Sequence, residues 1–401
     1  MASPPTSSAS HRLFDPAGAA CPHATYRDLL DTDPVATMPL SQGAIISRYE
    51  DVVFALRNPE IFSSEVSEKL DLGTERPMIP QQIDPPRQTR YRKLLDPFFS
   101  RRRMKNLEPA IRRNAASLIE SFLESGQCEF NQQFAIPLPG QAFLHLFGLP
   151  MEDLSLFLQL KNGIIRPQQQ AADPFDAAEI DSIRSRAGQT IYAYFSELIP
   201  IRRASPREDL MSSLVSAEID GTPLSEEEIL DICYLQILAG LDTVTATLGC
   251  LIAYLAANPE QQRRIYEQPS QIEGAIEELL RWETPVTGVP RIVTQDTEIA
   301  GTPLRAGEMV MLLLGAANID SNEFDEAENV DFERSRNRHI AFGAGHHRCL
   351  GSHLARLELR VALEEWHALI PPYSIRAGEV PTYSPGIREV QYLPLSWTAR
   401  R

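Results

Sequence analysis

Apolar residues recur at three- and four-residue spacing through most of residues 89–257, the period of helices that bury one face. An irregular patch at residues 163–174 interrupts that pattern. Ahead of it, residues 44–47 form a short apolar run that predicts a strand. Tyr49 to Arg57 then predicts a helix stopped by Asn58-Pro59. Between residues 63 and 86 periodicity disappears, and Gly73, Pro77, Pro80, Pro85 and Pro86 break any regular element. A loop this long is uncommon unless functional, so residues 63–82 and 163–174 are candidate lids or pocket walls.

The sharpest helical signal begins at Ser225, which forms a capping box with Glu228, and ends at Ala257 before Asn258-Pro259. At 1.5 Å per residue it would span ~48 Å. Leu235, Ile237, Leu238, Leu241, Val244 and Leu248 lie on more than one of its faces, which predicts a helix running through the interior. Further on, the pattern predicts helices over 270–283 and 350–369 and short strands at 291–294 and 309–314. Residues 1–25, rich in Ser, Pro and Ala, show no period and predict a loosely ordered N-terminal arm before a single domain over 26–401. The expected fold is mainly α with a small β component.

Composition narrows the function. The 401 residues are 43% hydrophobic and carry a net charge of −16. So acidic a chain lacks the basic surface that nucleic acid requires. No stretch reads as the ~20 uncharged apolar residues of a membrane span, and the first ten residues are small and polar, so a soluble cytoplasmic protein is expected. Five scattered cysteines without a C-x-x-C pair argue against a zinc site, a redox dithiol or an iron–sulfur cluster.

One cysteine stands apart. Phe342 to Gly351 reads F-G-A-G-H-H-R-C-L-G, three glycines around Cys349 just ahead of a predicted helix. Glycines suit a tight loop whose backbone approaches a flat ligand, and a helix N-terminus with Arg348 nearby favours thiolate over thiol. An anionic metal ligand needs those conditions. In the middle of the long helix, Ala239-Gly240-Leu241-Asp242-Thr243 places a carboxylate beside a hydroxyl inside an apolar run, where an unpaired charge is costly.

These segments together resemble the cytochrome P450 family over nearly the whole chain. The decapeptide is similar to F-G-x-G-x-H-x-C-x-G at every specified position. Glu278-Leu-Leu-Arg281 resembles E-x-x-R, with Arg334 of D-F-E-R completing a structural triad, and residues 239–243 resemble A-G-x-D-T. The resemblance implies a P450 fold, with haem b between the long central helix and the cysteine-ligand loop, and Cys349 as the iron ligand. Phe342 and Gly351 belong to that loop; Gln88, Arg92, Arg291 and His347 are the implied contacts to the haem propionates. The family's D-x-P-x-H-T-x-x-R appears here as Asp84 to Arg92 with Gln88 in place of histidine, as in the camphor-hydroxylase branch. Gln88 donates hydrogen bonds but carries no charge.

The implied reaction is insertion of one oxygen atom from O2 into a small hydrophobic substrate, terpenoid, fatty or aromatic, with Asp242 and Thr243 delivering protons. Leu235, Leu238, Ala239, Val244, Val286, Val289 and Ile387 are the implied pocket. Beside it, Arg388 is expected in solvent, or facing a substrate carboxylate if turned inwards. No flavin or nicotinamide motif is present, so electrons are expected from a separate ferredoxin and its reductase, docking on Arg101 to Lys105 with Arg90 and Arg348. A monomer is expected. The rival readings are a peroxide-driven haem peroxygenase and a non-catalytic haem sensor or electron carrier.

Overall fold

The computed structural model describes residues 9–398 except 14, 39–42, 68–69 and 385–386. Parts of the expected arm and of the 63–82 loop thus fall outside the described residues. From residue 9 onward the arm segment is helical at Ala9–Arg12, Pro16–Ala20 and His23–Thr32, with His23, Thr25 and Tyr26 buried. Apolar side chains three and four apart (Tyr26, Leu29, Leu30) give the third helix a face to bury, which the Ser-Pro-Ala composition obscures.

The chain forms two compact units. The first comprises Met1–Ser63, Ala115–Ala135 and Thr243–Arg401. Its main sheet contains β1 (Val35–Thr37), β2 (Gly43–Ile46), β3 (Phe62–Ser63), β4 (Val289–Val293) and β5 (Met309–Leu312), in the order β1-β2-β5-β4-β3. Only the β2–β5 pair is parallel. Ile46, Phe62, Val293, Val310 and Leu312 bury one side together with Val52 and Leu56 of α1 (Tyr49–Arg57). Helix α1 has Glu50 and Asp51 in its first turn and Arg57 in its last, which complements the helix dipole. Asn58 then caps it by donating to Phe54 O (2.7 Å).

The second unit comprises Ser64–Asn114 and Ile136–Asp242. It contains α2 (Arg87–Leu95), α3 (Leu154–Ile165), α4 (Ala177–Ala204) and α5 (Glu226–Gly240). The capping box forms as expected: Ser225 Oγ accepts from Glu228 N at 3.1 Å and Glu228 Oε2 accepts from Ser225 N at 2.8 Å. The predicted continuous helix is interrupted at Leu241–Asp242 and resumes as α6 (Thr243–Ala257) in the first unit. By length and composition, 226–257 does reach membrane-span apolarity, contrary to the expectation, but 78% of its most apolar window is buried inside the protein. It is a core helix.

In the first unit, α7 (Ile272–Glu283) and α8 (Ser352–Leu369) flank the predicted chemistry. Glu278 and Arg281 are fully buried, joined by two bonds of 2.7 and 2.9 Å, and Arg334 Nε reaches both Glu278 oxygens at 3.0 and 3.1 Å. Arg281 also donates to the carbonyls of Asn318, Ala327 and Asn329. Asn318 extends the network, donating to Thr284 Oγ1 and accepting from Ile340 N (2.7 Å) at the start of the cysteine loop. Arg281→Leu leaves Glu278 short of its main partner and takes a donor from three carbonyls, of which Asn329 O keeps Arg334 Nη2 at 2.9 Å. It is expected to cost ~3–5 kcal/mol, read as a lowered urea midpoint; an unshifted midpoint would refute a structural role.

Candidate active site

The cysteine loop is stitched down over residues 338–351. Tyr49 Oη donates to Arg338 O (2.8 Å), Gly343 N to Ile340 O (2.8 Å) and Cys349 N to Phe342 O (2.8 Å). Gly343 and Gly345 adopt φ of +69° and +66°, and a Cβ on Gly345 would lie 2.3 Å from Leu56 O. No other residue type fits that close approach to α1. Cys349 is exposed, three residues before α8 begins, whereas Cys128, Cys233 and Cys250 are buried. Burial pushes those three thiols well above the usual range, so they are not thiolates.

This loop suits a haem iron. Gly351 has no heavy atom within 4 Å of where a Cβ would stand, which leaves that side of the loop open to a flat ligand. Among the described residues no group of three or more His, Cys, Asp or Glu could hold a bare ion. A single thiolate would instead fit a metal held within a prosthetic group.

Other predicted residues of this unit fall on β4 and its surroundings. Arg291 is 7% exposed, with Nη1 donating to Pro290 O (2.7 Å). His347 is half-buried in a short turn, Gly345–His347. An antiparallel bridge brings Val286 and Ile387 together, and both are half-buried, as is Val289. Val244 is buried on α6, and Thr243 opens that helix, its carbonyl accepting from Thr247 Oγ1 (2.7 Å). Arg388 is not solvent-facing. It is 5% exposed and donates to Glu283 Oε2 (2.6 Å) and to Ala19 O, a buried pairing that no local pattern around Ile387 signals.

In the second unit, Asp242 is fully buried and holds three charged hydrogen bonds: Lys161 Nζ to Oδ1 at 2.7 Å and Arg166 to both oxygens at 2.9 Å. Burial alone would raise its pKa, but the two cations outweigh it and hold Asp242 below the ordinary carboxylate value. Neither cation was legible as a partner in the sequence, since each lies more than seventy residues away. The one available clue was that a carboxylate inside an apolar run requires a cation somewhere.

At Gly240 of the same motif a Cβ would stand 2.9 Å from the Phe143 ring. Its absent side chain makes room for Phe143. Ala239 is exposed near the C-terminal end of α5, while Leu235 and Leu238 are buried. Gln88 is 1% exposed on α2, and Arg92 pairs with Asp96 at 3.0 Å.

Residues 72–76 of the 63–82 loop are fastened within the second unit. Arg76 makes a two-pronged bond to Asp231 of α5 (2.7 and 3.0 Å), Tyr192 Oη donates to the same carboxylate (3.2 Å), and Tyr234 Oη donates to Leu72 O (2.6 Å). A Cβ on Gly188 of α4 would meet Gly73 O at 2.0 Å, so the loop backbone lies directly on that helix.

Comparison with known proteins agrees with the architecture and the family resemblance. The family model for cytochrome P450 matches residues 41–366. Cytochrome P450 109 of Bacillus spizizenii is 33% identical over 344 residues, 85% of this chain and 82% of that protein. Steroid C26-monooxygenase of Mycobacterium tuberculosis is 35% identical over 342 residues, 84% of this chain and 89% of that protein. The structure of cytochrome P450 CYP109Q5 from Chondromyces apiculatus superposes with a TM-score of 0.88 at 30% identity, covering 97% of this chain and 98% of that one.

Fold and loop therefore define a haem-thiolate monooxygenase, an oxidoreductase with haem b as cofactor. The chain belongs to the cytochrome P450 family.

Proposed function

We propose that this P450 oxidises a small hydrophobic molecule of the terpenoid or steroid class, with O2 as oxidant and a ferredoxin as electron donor, and acts in the cytoplasm as a monomer. The observation that carries the O2-dependent reading is the buried, ion-paired Asp242 beside Thr243 at the helix break. A peroxide-driven enzyme or a haem sensor has no need of such a pair.

When bound, haem would be held by the Cys349 thiolate and would supply O2 activation, an effect of thiolate ligation for which this family is the standard example. The chain's residues supply the rest. Asp242 is ionised at rest and sealed from solvent, so to pass on a proton it would first take one from Lys161 or swing away from Arg166. Gln88, Arg92, Arg291 and His347 are the residues that would anchor the propionates, and Leu235, Leu238, Ala239, Val244, Val286, Val289 and Ile387 those that would offer aliphatic surface to an apolar substrate. The steroid named in the Mycobacterium tuberculosis relative supports that substrate class.

Turnover of a terpenoid and steroid panel, with reduced ferredoxin and O2 against peroxide alone, separates the readings. Product dependent on ferredoxin supports the proposal, and equal turnover with peroxide alone refutes it. For docking, Arg101, Arg102 and Lys105 are exposed at Arg101–Lys105, and Arg348 is exposed on the cysteine loop. Arg90 is engaged with exposed Asp220 at 2.7 Å. Changing Arg101, Arg102 and Lys105 to Gln is expected to slow reduction by an acidic ferredoxin about tenfold at low salt and flatten its salt dependence. A rate within twofold of wild type would sink this surface as the docking site.

A further inference from the structure

Two adjacent glutamates on α7 serve different ends. Glu278 closes the buried triad, whereas Glu277 turns to the cysteine loop. Its carboxylate accepts from Arg356 Nε and Nη2 at 2.6 and 2.7 Å and from His339 Nε2 at 3.0 Å. His339 Nδ1 accepts the Ala341 amide (3.3 Å), which leaves Nε2 as the donating nitrogen. With one edge of its fork taken by Glu277, the Arg356 guanidinium is fixed in plane and lies 4.4 Å from the centre of the Phe342 ring. Phe342 O in turn accepts from Cys349 N (2.8 Å).

The Arg356 and Glu277 side chains are 30% and 35% exposed, and an ion pair that open to water adds little stability by itself. The order it imposes falls on Phe342. None of Glu277, His339 or Arg356 lies within the motifs from which the site was read.

We infer that Arg356, oriented by Glu277 and His339, is a positioning residue for the iron ligand: it fixes Phe342, whose carbonyl holds the Cys349 amide, and so sets how the sulfur is presented to the haem. This rests on the haem-thiolate reading.

The test compares wild type with Arg356→Met, which keeps an apolar stem without charge, Arg356→Lys, which keeps charge without the fork, and Glu277→Gln. Three quantities are read: the rate at which the carbon-monoxide adduct of the reduced protein converts from the thiolate to the thiol band, the haem reduction potential, and the thermal midpoint. Conversion is expected to quicken about five- to tenfold in R356M, the factor that loss of one part-desolvated cation–π contact gives. R356K and E277Q should fall between R356M and wild type. The potential of R356M should move while its thermal midpoint stays near that of wild type.

Wild-type conversion rates and potential in R356M would overturn the inference. If R356M does not fold, R356K and E277Q decide it by the same readings, and unchanged values in both overturn it. A wild-type protein without a thiolate band would defeat the haem-thiolate reading itself, and this inference with it.

Discussion

Cys349→Ala is expected to abolish the strongly red-shifted Soret band of the reduced carbon-monoxide adduct and to reduce ferredoxin-driven turnover by more than about a hundredfold. Losing a partner of a metal ligand already costs about 10–100-fold, and losing the only protein ligand must cost more. The loop itself should survive, because its hydrogen bonds run through backbone groups: Cys349 N to Phe342 O, Gly343 N to Ile340 O. Exposed Cys349 buries no thiol that a methyl group would miss. The measurement is an absorption spectrum of wild type and variant at matched haem content. A red-shifted band retained in C349A would defeat the assignment of this residue as ligand, and the P450 fold would then stand without a located iron site.

Asp242→Asn is expected to lower turnover about 10²–10⁴-fold, the range for loss of a positioned acid or base, while substrate binding stays near wild type. It should also destabilise the protein. An amide leaves Lys161 and Arg166, 6% and 12% exposed, without their anion, and breaking a buried pair in this way costs ~3–5 kcal/mol. The two effects separate in one variant set, because combining Asp242→Asn with Lys161→Met and Arg166→Met removes the stranded cations. That combination should recover much of the stability but none of the rate. If D242N turned over at the wild-type rate, Asp242 would be a structural carboxylate and the proton path would lie elsewhere.

The pH dependence of this site has a definite sign. The Asp242 pKa in the folded protein is depressed below its ordinary value, so its contribution to stability is complete above about pH 4, the unfolded value, and is lost as pH falls through the folded one. Acid unfolding of wild type should therefore include a step that the Lys161→Met/Arg166→Met/Asp242→Asn protein lacks.

How much of this was legible beforehand depends on the range of the interaction concerned. Tyr49–Arg57 was readable because its start, its dipole and its Asn-Pro stop are written within eleven residues, and the Ser225–Glu228 capping box because its two partners are three residues apart. The cysteine loop was readable for the same reason. Its glycines, its sulfur and the helix that follows are contiguous, and a tight backbone turn tolerates few residue types. The helix break at Leu241–Asp242 was not readable. Residues 225–257 have helical periodicity throughout, and the carboxylate at the break is held by Lys161 and Arg166 from distant positions.

The sequence by itself determined the class of fold and singled out Cys349 as the candidate iron ligand and Asp242 with Thr243 as the candidate acid–alcohol pair, since each rests on local propensity or on residue types required at adjacent positions. Only the tertiary structure decided which cations hold Asp242, that Gly240 makes room for Phe143, that Arg388 is spent on Glu283, and that Glu277 serves the cysteine loop while its neighbour Glu278 serves the core. Those pairings join residues tens to hundreds of positions apart. Burial makes a partner obligatory for a charge, yet leaves its identity to whichever element the fold brings alongside.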